Sequence, residues 1–216
     1  MRAGERAGNN VQIRILVADD HPVVRAGLSS VLAQQADLQV VAEAENGAQA
    51  LELYREHLPD ICLMDLRMPV MNGVEAIRAI LATDPKARIL ALTTYDGDAD
   101  IRRALDAGAR GYLLKDMLLT DVLGAVRAVY RGELVIPNAV AARLSAYPER
   151  SDLTDRELEV LQLVARGLSN KEVARAIGRT DETVKIHLKN TFTKLGVADR
   201  TEAVTVGLSR GLIHLD

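Results

Sequence analysis

Five short aliphatic runs alternate with segments of helical hydrophobic spacing along the first two thirds of the chain. The runs have strand length, are apolar on both faces, and span Ile13–Ala18, Leu38–Ala42, Ile61–Met64, Arg88–Leu92 and Gly111–Leu114. Strands that are apolar on both faces are typical of a parallel sheet, because helices cover both of its surfaces. The pattern therefore predicts a doubly wound α/β domain with a five-stranded parallel sheet over residues 11–131.

The hydrophobic pattern changes after residue 131. Glycine and proline interrupt residues 132–152, which predicts a linker with one short helix near Asn138–Leu144. Beyond it only helical patterns occur, and capping-box spacing precedes two of them, at Thr154 and Ser169. The C-terminal residues 153–216 are therefore predicted to form a small all-α domain. Its four helices are expected at Asp155–Arg166, Asn170–Ile177, Asp181–Leu195 and Arg200–Arg210.

Composition excludes several classes of protein. The 216 residues are 48% hydrophobic and 26% charged, which is the balance of a globular chain and not of a disordered one. No apolar run approaches the roughly 18 residues that cross a membrane, and the first residues lack the apolar core of a signal peptide. The single Cys excludes an internal disulfide. Together these features predict a cytoplasmic protein that does not bind membranes.

Polar side chains end or follow four of the predicted strands. Asp19 and Asp20 follow the first strand, Asp65 the third, Thr93 the fourth and Lys115 the fifth. Parallel strands open onto one edge, so three carboxylates are expected to converge there and to favour a hard cation such as Mg²⁺. A metal ion, a lysine and a hydroxyl around one carboxylate can neutralise a phosphoryl group during transfer to that carboxylate.

Each of these residues also has an ordinary structural interpretation. Asp20 could cap the first helix, Asp65 could be a turn residue, Lys115 could be a solvated surface charge, and Thr93 could be only a β-branched residue at a strand end. Their positions at successive strand ends favour the functional interpretation. Cys62 lies within an apolar run and is expected to be a buried small hydrophobic residue.

The C-terminal part is locally basic although the whole chain carries a net charge of −3. On the predicted helix Asp181–Leu195 an apolar stripe faces inward, which leaves Lys185, Ile186, Lys189 and Asn190 on the outer face. Lysine, asparagine and an apolar side chain suit the major groove of double-stranded DNA. Thr183, Asn170 and Lys171 are expected near the phosphate backbone. The alternative is a solvated charged helix face.

Two sets of motifs resemble known families. The segments ILVADDHPVVRAGL, DICLMDLRMPVMNGVEA, ALTTYDGD and AGARGYLLKD resemble the receiver domain of two-component response regulators. The segment that runs from LTDRELEVLQLVARGLSNKEV to KLGVADRTEAV resembles the LuxR-type helix-turn-helix. Their order and spacing are those of the NarL/FixJ family, and together they cover nearly the whole chain.

This resemblance implies a role for each residue of the strand ends. Asp65 is implied to be the phosphoacceptor, with Mg²⁺ held by Asp19, Asp20, Asp65 and the backbone carbonyl of Arg67. Lys115 matches the family's lysine, Thr93 its switch hydroxyl and Tyr112 its switch aromatic residue. The chain is then no enzyme in the usual sense, because it serves as a stoichiometric phosphoacceptor.

Three functions are compatible with these observations. The first is a transcription regulator that a sensor histidine kinase phosphorylates and that binds DNA as a homodimer, with RNA polymerase as a further candidate partner. The final predicted helix offers an apolar surface for dimer contact, with the residues Ala203, Val204, Val206 and Leu208 and the nearby Ile213. The second is a DNA-binding protein whose receiver is only a scaffold. The third, a Mg²⁺-dependent phosphatase, is disfavoured because Arg67 occupies the position where a second acid is needed.

Overall fold

The computed structural model describes residues 12–93, 97–115, 119–146 and 153–215. These residues divide into two compact units. The first comprises the described residues up to 93 together with those from 103 to 138, and the second comprises residues 97–102 and those from 139 onward. Val11, where the first domain is expected to begin, lies outside the described residues, as does Asp116, the last residue of the motif AGARGYLLKD.

The first unit contains one five-stranded parallel sheet. Its strands are β1 (Ile13–Ala18), β2 (Leu38–Ala44), β3 (Ile61–Asp65), β4 (Ile89–Thr93) and β5 (Gly111–Leu114), in the order β2-β1-β3-β4-β5. The helices between and after them are α1 (Pro22–Ala33), α2 (Gly47–His57), α3 (Gly73–Thr83), α4 (Asp98–Asp106) and α5 (Leu119–Tyr130). The residues of α4 before Arg103 belong to the second unit. Every residue of β3 and β4 is buried. The predicted doubly wound sheet is confirmed.

The strand order places the acidic strand ends side by side. β1 and β3 pair directly, although β2 lies between them in the sequence, so the connections leave these two strands in opposite directions. At such a switch point the helices diverge and a crevice opens at the carboxyl edge of the sheet. Asp19 follows β1 and Asp65 ends β3. The topology therefore brings both carboxylates to the same crevice.

Gly73 allows α3 to begin against the backbone of β3. A Cβ atom at this position would lie 2.0 Å from the carbonyl oxygen of Asp65, which is far inside the contact distance. The Gly73 amide instead donates a hydrogen bond to the Leu66 carbonyl over 3.0 Å. Asn72 and Glu75 close a capping box at the same helix start. The loop after Asp65 is therefore fixed from both ends.

The segment predicted as a linker begins with contacts to the sheet. Val135 forms an isolated parallel bridge with Gly111, and the Tyr112 amide donates to the Val135 carbonyl over 3.0 Å. Helix α6 (Asn138–Ala146) follows, where a short helix was expected. One bridging residue has no periodicity, so the sequence pattern could not show this pairing.

The second unit contains the four helices predicted at the C-terminus. They are α7 (Asp155–Ala165), α8 (Asn170–Ala176), α9 (Asp181–Leu195) and α10 (Arg200–Ser209). Capping boxes at Thr154 and Ser169 begin α7 and α8 as expected, and Gly196 ends α9 in the left-handed conformation with φ of 68°. None of the described helices is long and apolar enough to cross a membrane.

The helices of the second unit share a small apolar core. On α9 the predicted stripe is confirmed, since Val184, Leu188 and Thr191 are buried. Ala203 and Ile213 are also buried in this core, at 0% and 1% exposure. The expectation that these two residues offer a surface for dimer contact is therefore wrong. The physical reason is that they pack within their own unit.

Candidate functional site

Lys115 joins two carboxylates at the carboxyl edge of the sheet. Its Nζ atom lies 2.7 Å from Asp19 Oδ2 and 2.8 Å from Asp65 Oδ2. The three side chains are almost fully buried, with exposures of 8% for Lys115, 0% for Asp19 and 4% for Asp65. The ammonium group thus reaches from the end of β5 to the ends of β1 and β3, and it partly neutralises a pair of carboxylates that water does not screen.

Burial changes the acidity of these groups. It raises the pKa of Asp65, and the hydrogen bond from Lys115 offsets this effect only in part. For Lys115 burial acts to lower the pKa, but the hydrogen bonds to Asp19 and Asp65 outweigh it and the net pKa is raised. Lys115 is therefore held in its charged form beside Asp65.

The remaining acceptor atoms form a set that suits a hard cation. Asp65 Oδ1 accepts a hydrogen bond from the Arg67 amide over 3.2 Å, which keeps the Arg67 backbone beside the carboxylate. Asp20 Oδ1 is buried and accepts no hydrogen bond from any of the described residues. Asp19, Asp20, His21 and Asp65 each offer a ligand atom, and these atoms all lie within 4.8 Å of one another. Clustered carboxylate oxygens are the donors that Mg²⁺ prefers.

Thr93 lies on β4, which pairs with β3, and Tyr112 lies on β5, which pairs with β4. Thr93 ends β4, is 1% exposed, and stands one residue beyond Leu92, which is the register partner of Asp65. Its carbonyl oxygen accepts a hydrogen bond from the Lys115 amide over 2.7 Å. Tyr112, on β5, is fully buried. The structure thus brings Thr93 to the carboxyl edge that carries Asp65, and it places Tyr112 within the core.

His21 belongs to the acidic cluster, and the sequence analysis did not include it. Its Nδ1 atom lies 2.7 Å from Asp20 Oδ1 and 3.4 Å from Asp19 Oδ1. The expected site residues were the polar side chains that end or follow the strands, and a single histidine has no ligand spacing that would add it to them. The informative feature was its position directly after two aspartates at the end of a strand.

In the second unit, α9 exposes the side chains that were expected on its outer face. Lys185, Ile186, Lys189 and Asn190 are exposed, with Ile186 at 56%. The exposed face of α9 thus combines two lysines, an asparagine and one apolar side chain. Of the expected backbone contacts Lys171 is exposed, whereas Asn170 and Thr183 are half-buried. The Thr183 hydroxyl lies 2.9 Å from that of Thr180, which caps the helix.

Lys185 does not stand alone on this surface. Its Nζ atom lies 3.2 Å from Glu182 and 3.3 Å from Asp181, one helical turn earlier. Hydrogen bonds to Glu182 and then to Asp181 raise the pKa of Lys185. The lysine is therefore cationic, and two acids on its own helix hold its side chain.

Comparison with known proteins agrees with both halves of this description. Residues 15–127 match the family described as the response regulator receiver domain, and residues 151–206 match the luxR family of bacterial regulatory proteins. The chain belongs to the response regulators. This response regulator combines a receiver domain with a LuxR-type DNA-binding domain, an arrangement that is typically not enzymatic.

Curated relatives match nearly all of its length. It is 41% identical over 216 residues to the transcriptional regulatory protein LnrK of Bacillus subtilis, covering 93% of this chain and 98% of that protein. It is 42% identical over 207 residues to the response regulator protein VraR of Staphylococcus aureus, covering 94% and 99%. The response regulator is therefore similar to transcriptional regulators along nearly all of its length.

Solved structures show the same similarity. The crystal structure of the response regulator ChrA, from a heme-sensing two-component system, is 40% identical with a TM-score of 0.57 and covers 94% of this chain and 99% of that one. A complex of the response regulator RcsB with DNA is 28% identical with a TM-score of 0.66 and covers 92% and 98%. A further structure contains two RcsB dimers bound to two parallel DNAs, at 29% identity, a TM-score of 0.65 and coverage of 92% and 98%.

Proposed function

We propose that this response regulator is a transcription regulator that is switched by phosphorylation of Asp65. The observation that carries the proposal is the Lys115 ammonium group, which lies 2.8 Å from a buried Asp65 carboxylate. A phosphoryl group on Asp65 adds negative charge and strong acceptor oxygens at this place, and Lys115 is already positioned to pair with it. Asp65 is the acceptor because it is the carboxylate that both Lys115 and the Arg67 amide contact.

Mg²⁺ is the proposed cofactor of this reaction. The side chains of Asp19, Asp20 and Asp65 and the backbone carbonyl of Arg67 would hold it, and the buried Asp20 Oδ1 atom without a hydrogen bond supports this assignment. When bound, the cation neutralises charge on the transferring phosphoryl group. Lys115 supplies a second positive charge to the same group, and Asp65 supplies the attacking carboxylate oxygen.

Thr93 and Tyr112 are the proposed reporters of phosphorylation. Thr93 lies at the carboxyl edge beside Lys115, so its hydroxyl can donate a hydrogen bond to a phosphoryl oxygen after a small movement. This movement would vacate space beside β4 that the Tyr112 ring can enter from β5. Both residues are buried, and a buried packing change has two discrete arrangements rather than a continuous range.

Double-stranded DNA is the proposed target of α9. Lys185, Ile186, Lys189 and Asn190 would face bases in the major groove, while Thr183, Asn170 and Lys171 would contact the phosphate backbone. We propose that the chain binds as a homodimer on activation, because helix-turn-helix proteins read paired half-sites and the RcsB complexes contain dimers on DNA. The proposed domains are 11–131 for the receiver, 132–152 for the linker and 153–216 for DNA binding.

A sensor histidine kinase is the proposed phosphodonor, with RNA polymerase as a further candidate partner in the cytoplasm. Two exposed valines lie close in sequence to the acidic residues. Val23 at the start of α1 is 85% exposed, and Val70 in the loop after β3 is 88% exposed. A protein donor could bury both side chains while it approaches Asp65.

Intact mass after incubation with acetyl phosphate and Mg²⁺ tests the phosphoacceptor. We expect one phosphoryl adduct on the wild type and on Asp121→Asn, an exposed control on α5, and none on Asp65→Asn. An adduct of equal yield on Asp65→Asn contradicts the assignment of Asp65. Absence of an adduct from every protein contradicts the proposed switch chemistry with this donor.

Lys189→Ala tests the DNA interface. Lys189 is exposed on α9, so its loss should weaken binding to the specific site by about 1–3 kcal/mol while phosphorylation of Asp65 remains at the wild-type level. Fluorescence anisotropy with an operator duplex measures the affinity, and intact mass measures phosphorylation. Unchanged affinity would remove Lys189 from the interface, and a simultaneous loss of phosphorylation would indicate misfolding.

A further inference from the structure

The contact between His21 and Asp20 is close but is not a hydrogen bond. The Nδ1 atom of His21 lies 2.7 Å from Asp20 Oδ1, yet this oxygen accepts no hydrogen bond from the described residues. Both atoms are ligand atoms for a metal ion, and they lie side by side within the acidic cluster. The pair therefore offers a cation one nitrogen and one oxygen donor at the same place.

The Asp19 carboxylate and Pro22 fix the backbone of His21, and the imidazole takes no part in capping α1. His21 is the N-cap of α1, but its side chain makes no capping hydrogen bond. Its amide donates to Asp19 Oδ1 over 2.9 Å, and Pro22 follows as the first helical residue. The imidazole is therefore free of a structural task in α1, and at 65% exposure it stands at the mouth of the acidic crevice.

The cluster has nearly the dimensions of one coordination sphere. The ligand atoms of Asp19, Asp20, His21 and Asp65 all lie within 4.8 Å of one another. Opposite ligands of a cation with bonds of roughly 2.1 Å are about 4.2 Å apart, so a movement of a few tenths of an ångström suffices. The His21 imidazole, at 65% exposure, and the Asp20 side chain, at 32%, have room for this movement.

We propose that His21 is an additional side-chain ligand of this cation site and gives it a preference for divalent transition metals over Mg²⁺. The inference deepens the proposed function, because it rests on the same divalent-cation site. Imidazole nitrogen is a poor ligand for Mg²⁺, which takes oxygen donors, and a good one for Co²⁺, Ni²⁺ and Zn²⁺. The three carboxylates bind either class, so His21 decides between them.

Calorimetric titration of the full-length, unphosphorylated protein with MgCl₂ and with CoCl₂ tests this preference. We expect the wild type to bind Co²⁺ more tightly than Mg²⁺. His21→Ala should weaken Co²⁺ binding about tenfold or more, since loss of groups that only support a ligand already costs 10–100-fold. The same variant should change Mg²⁺ binding by less than about twofold. His57→Ala, in the last turn of α2, is the matched control and should change neither affinity.

A spectroscopic readout separates direct ligation from indirect positioning. The chain has four histidines, and bound Co²⁺ should shift the imidazole resonances of His21 strongly while those of His57 stay in place. Equal Co²⁺ affinity in wild type and His21→Ala would overturn the inference, as would equal loss of Mg²⁺ and Co²⁺ binding, which indicates that His21 only orients Asp20. If the wild type binds neither metal, or if Asp20→Asn binds both as wild type does, the proposed cation site itself is wrong.

Discussion

Lys194 is expected to stabilise the C-terminal unit through a single ion pair. It lies in the last turn of α9, and its Nζ atom lies 2.8 Å from Oε2 of Glu157 on α7. The Glu157 side chain is 4% exposed and that of Lys194 is 33% exposed. The same carboxylate oxygen accepts the Thr154 amide over 2.8 Å, so one buried atom both caps α7 and anchors α9. Lys194→Met removes only the ammonium group and keeps most of the stem.

The loss of unfolding free energy expected for Lys194→Met lies between two limits. Removing one partner of a fully buried ion pair costs about 3–5 kcal/mol, because the other charge stays buried. An exposed pair contributes about 0–1 kcal/mol. Glu157 is buried but keeps its Thr154 hydrogen bonds, and Lys194 is one-third exposed. We therefore expect Lys194→Met to lower the free energy of unfolding of this unit by about 2 kcal/mol.

The single phenylalanine provides an assay that reports on this unit alone. Phe192 lies on α9 and packs against both apolar clusters of the C-terminal unit, and the chain contains no other phenylalanine. Incorporation of fluorophenylalanine gives one ¹⁹F signal, whose urea titration in the full-length protein yields the free energy of unfolding. Lys189→Met is the matched control, because Lys189 is exposed on the same helix and should change the result by less than about 0.5 kcal/mol.

The effect of pH on this pair has a defined sign. Burial raises the pKa of Glu157, but the hydrogen bonds from Lys194 and Thr154 outweigh burial and the net pKa is lowered. A lowered native pKa means that the contribution is fully present above the usual carboxyl value of 4.5 and is lost as pH falls through the native value. The difference between wild type and Lys194→Met should thus shrink in acid. Equal stability of the two proteins at pH 7 would refute the reasoning.

Two further changes concern the receiver unit. Val70 has φ of 69° and is 88% exposed, so Val70→Gly should stabilise this unit by about 1 kcal/mol, as relief of left-handed strain exceeds the added chain entropy. The rate at which a disulfide reagent labels the Cys62 thiol measures the change in stability. Burial raises the pKa of this thiol to about 12, so it should react only after unfolding, and Val70→Gly should be labelled more slowly than the wild type. Arg127→Met breaks a bidentate pair with Asp37, but because the two side chains are 35% and 45% exposed the loss should stay below about 1 kcal/mol and disappear in 1 M salt, which a urea titration at two salt concentrations measures.

The sheet and the common edge of its polar residues could be predicted because both depend on local pattern. A strand that is apolar on both faces must be covered on both faces, which is the situation in a parallel sheet between helices. Parallel strands also bring their carboxyl ends to one edge. Asp19, Asp65 and Lys115 were therefore expected at the same edge. The pattern could not show that Lys115 reaches past β4 to both carboxylates, because that contact depends on the strand order and on the path of a long side chain.

Other features could not be predicted because they have no periodicity or because their neighbours in space are distant in sequence. Val135 pairs with Gly111 through a single bridge, which leaves no repeating signature. His21 was not predicted because metal sites are commonly recognised by repeated histidines, whereas here its partners are carboxylates. Ala203 and Ile213 have the same apolar character whether they face a partner or their own core, so the sequence alone did not distinguish the two.

Two lysines of α9 differ in how far their ion-pair partners lie from them in the sequence. Lys185 stands three and four residues after Glu182 and Asp181, so the helical period alone predicts both of its ion pairs. Lys194 has the same charge and lies on the same helix, but its partner Glu157 is 37 residues away in the sequence. A count of basic residues alone would place both charges on the outer face of the helix. Lys194 is one-third exposed and pairs with Glu157 of α7, so part of the positive charge of α9 is neutralised within its own unit.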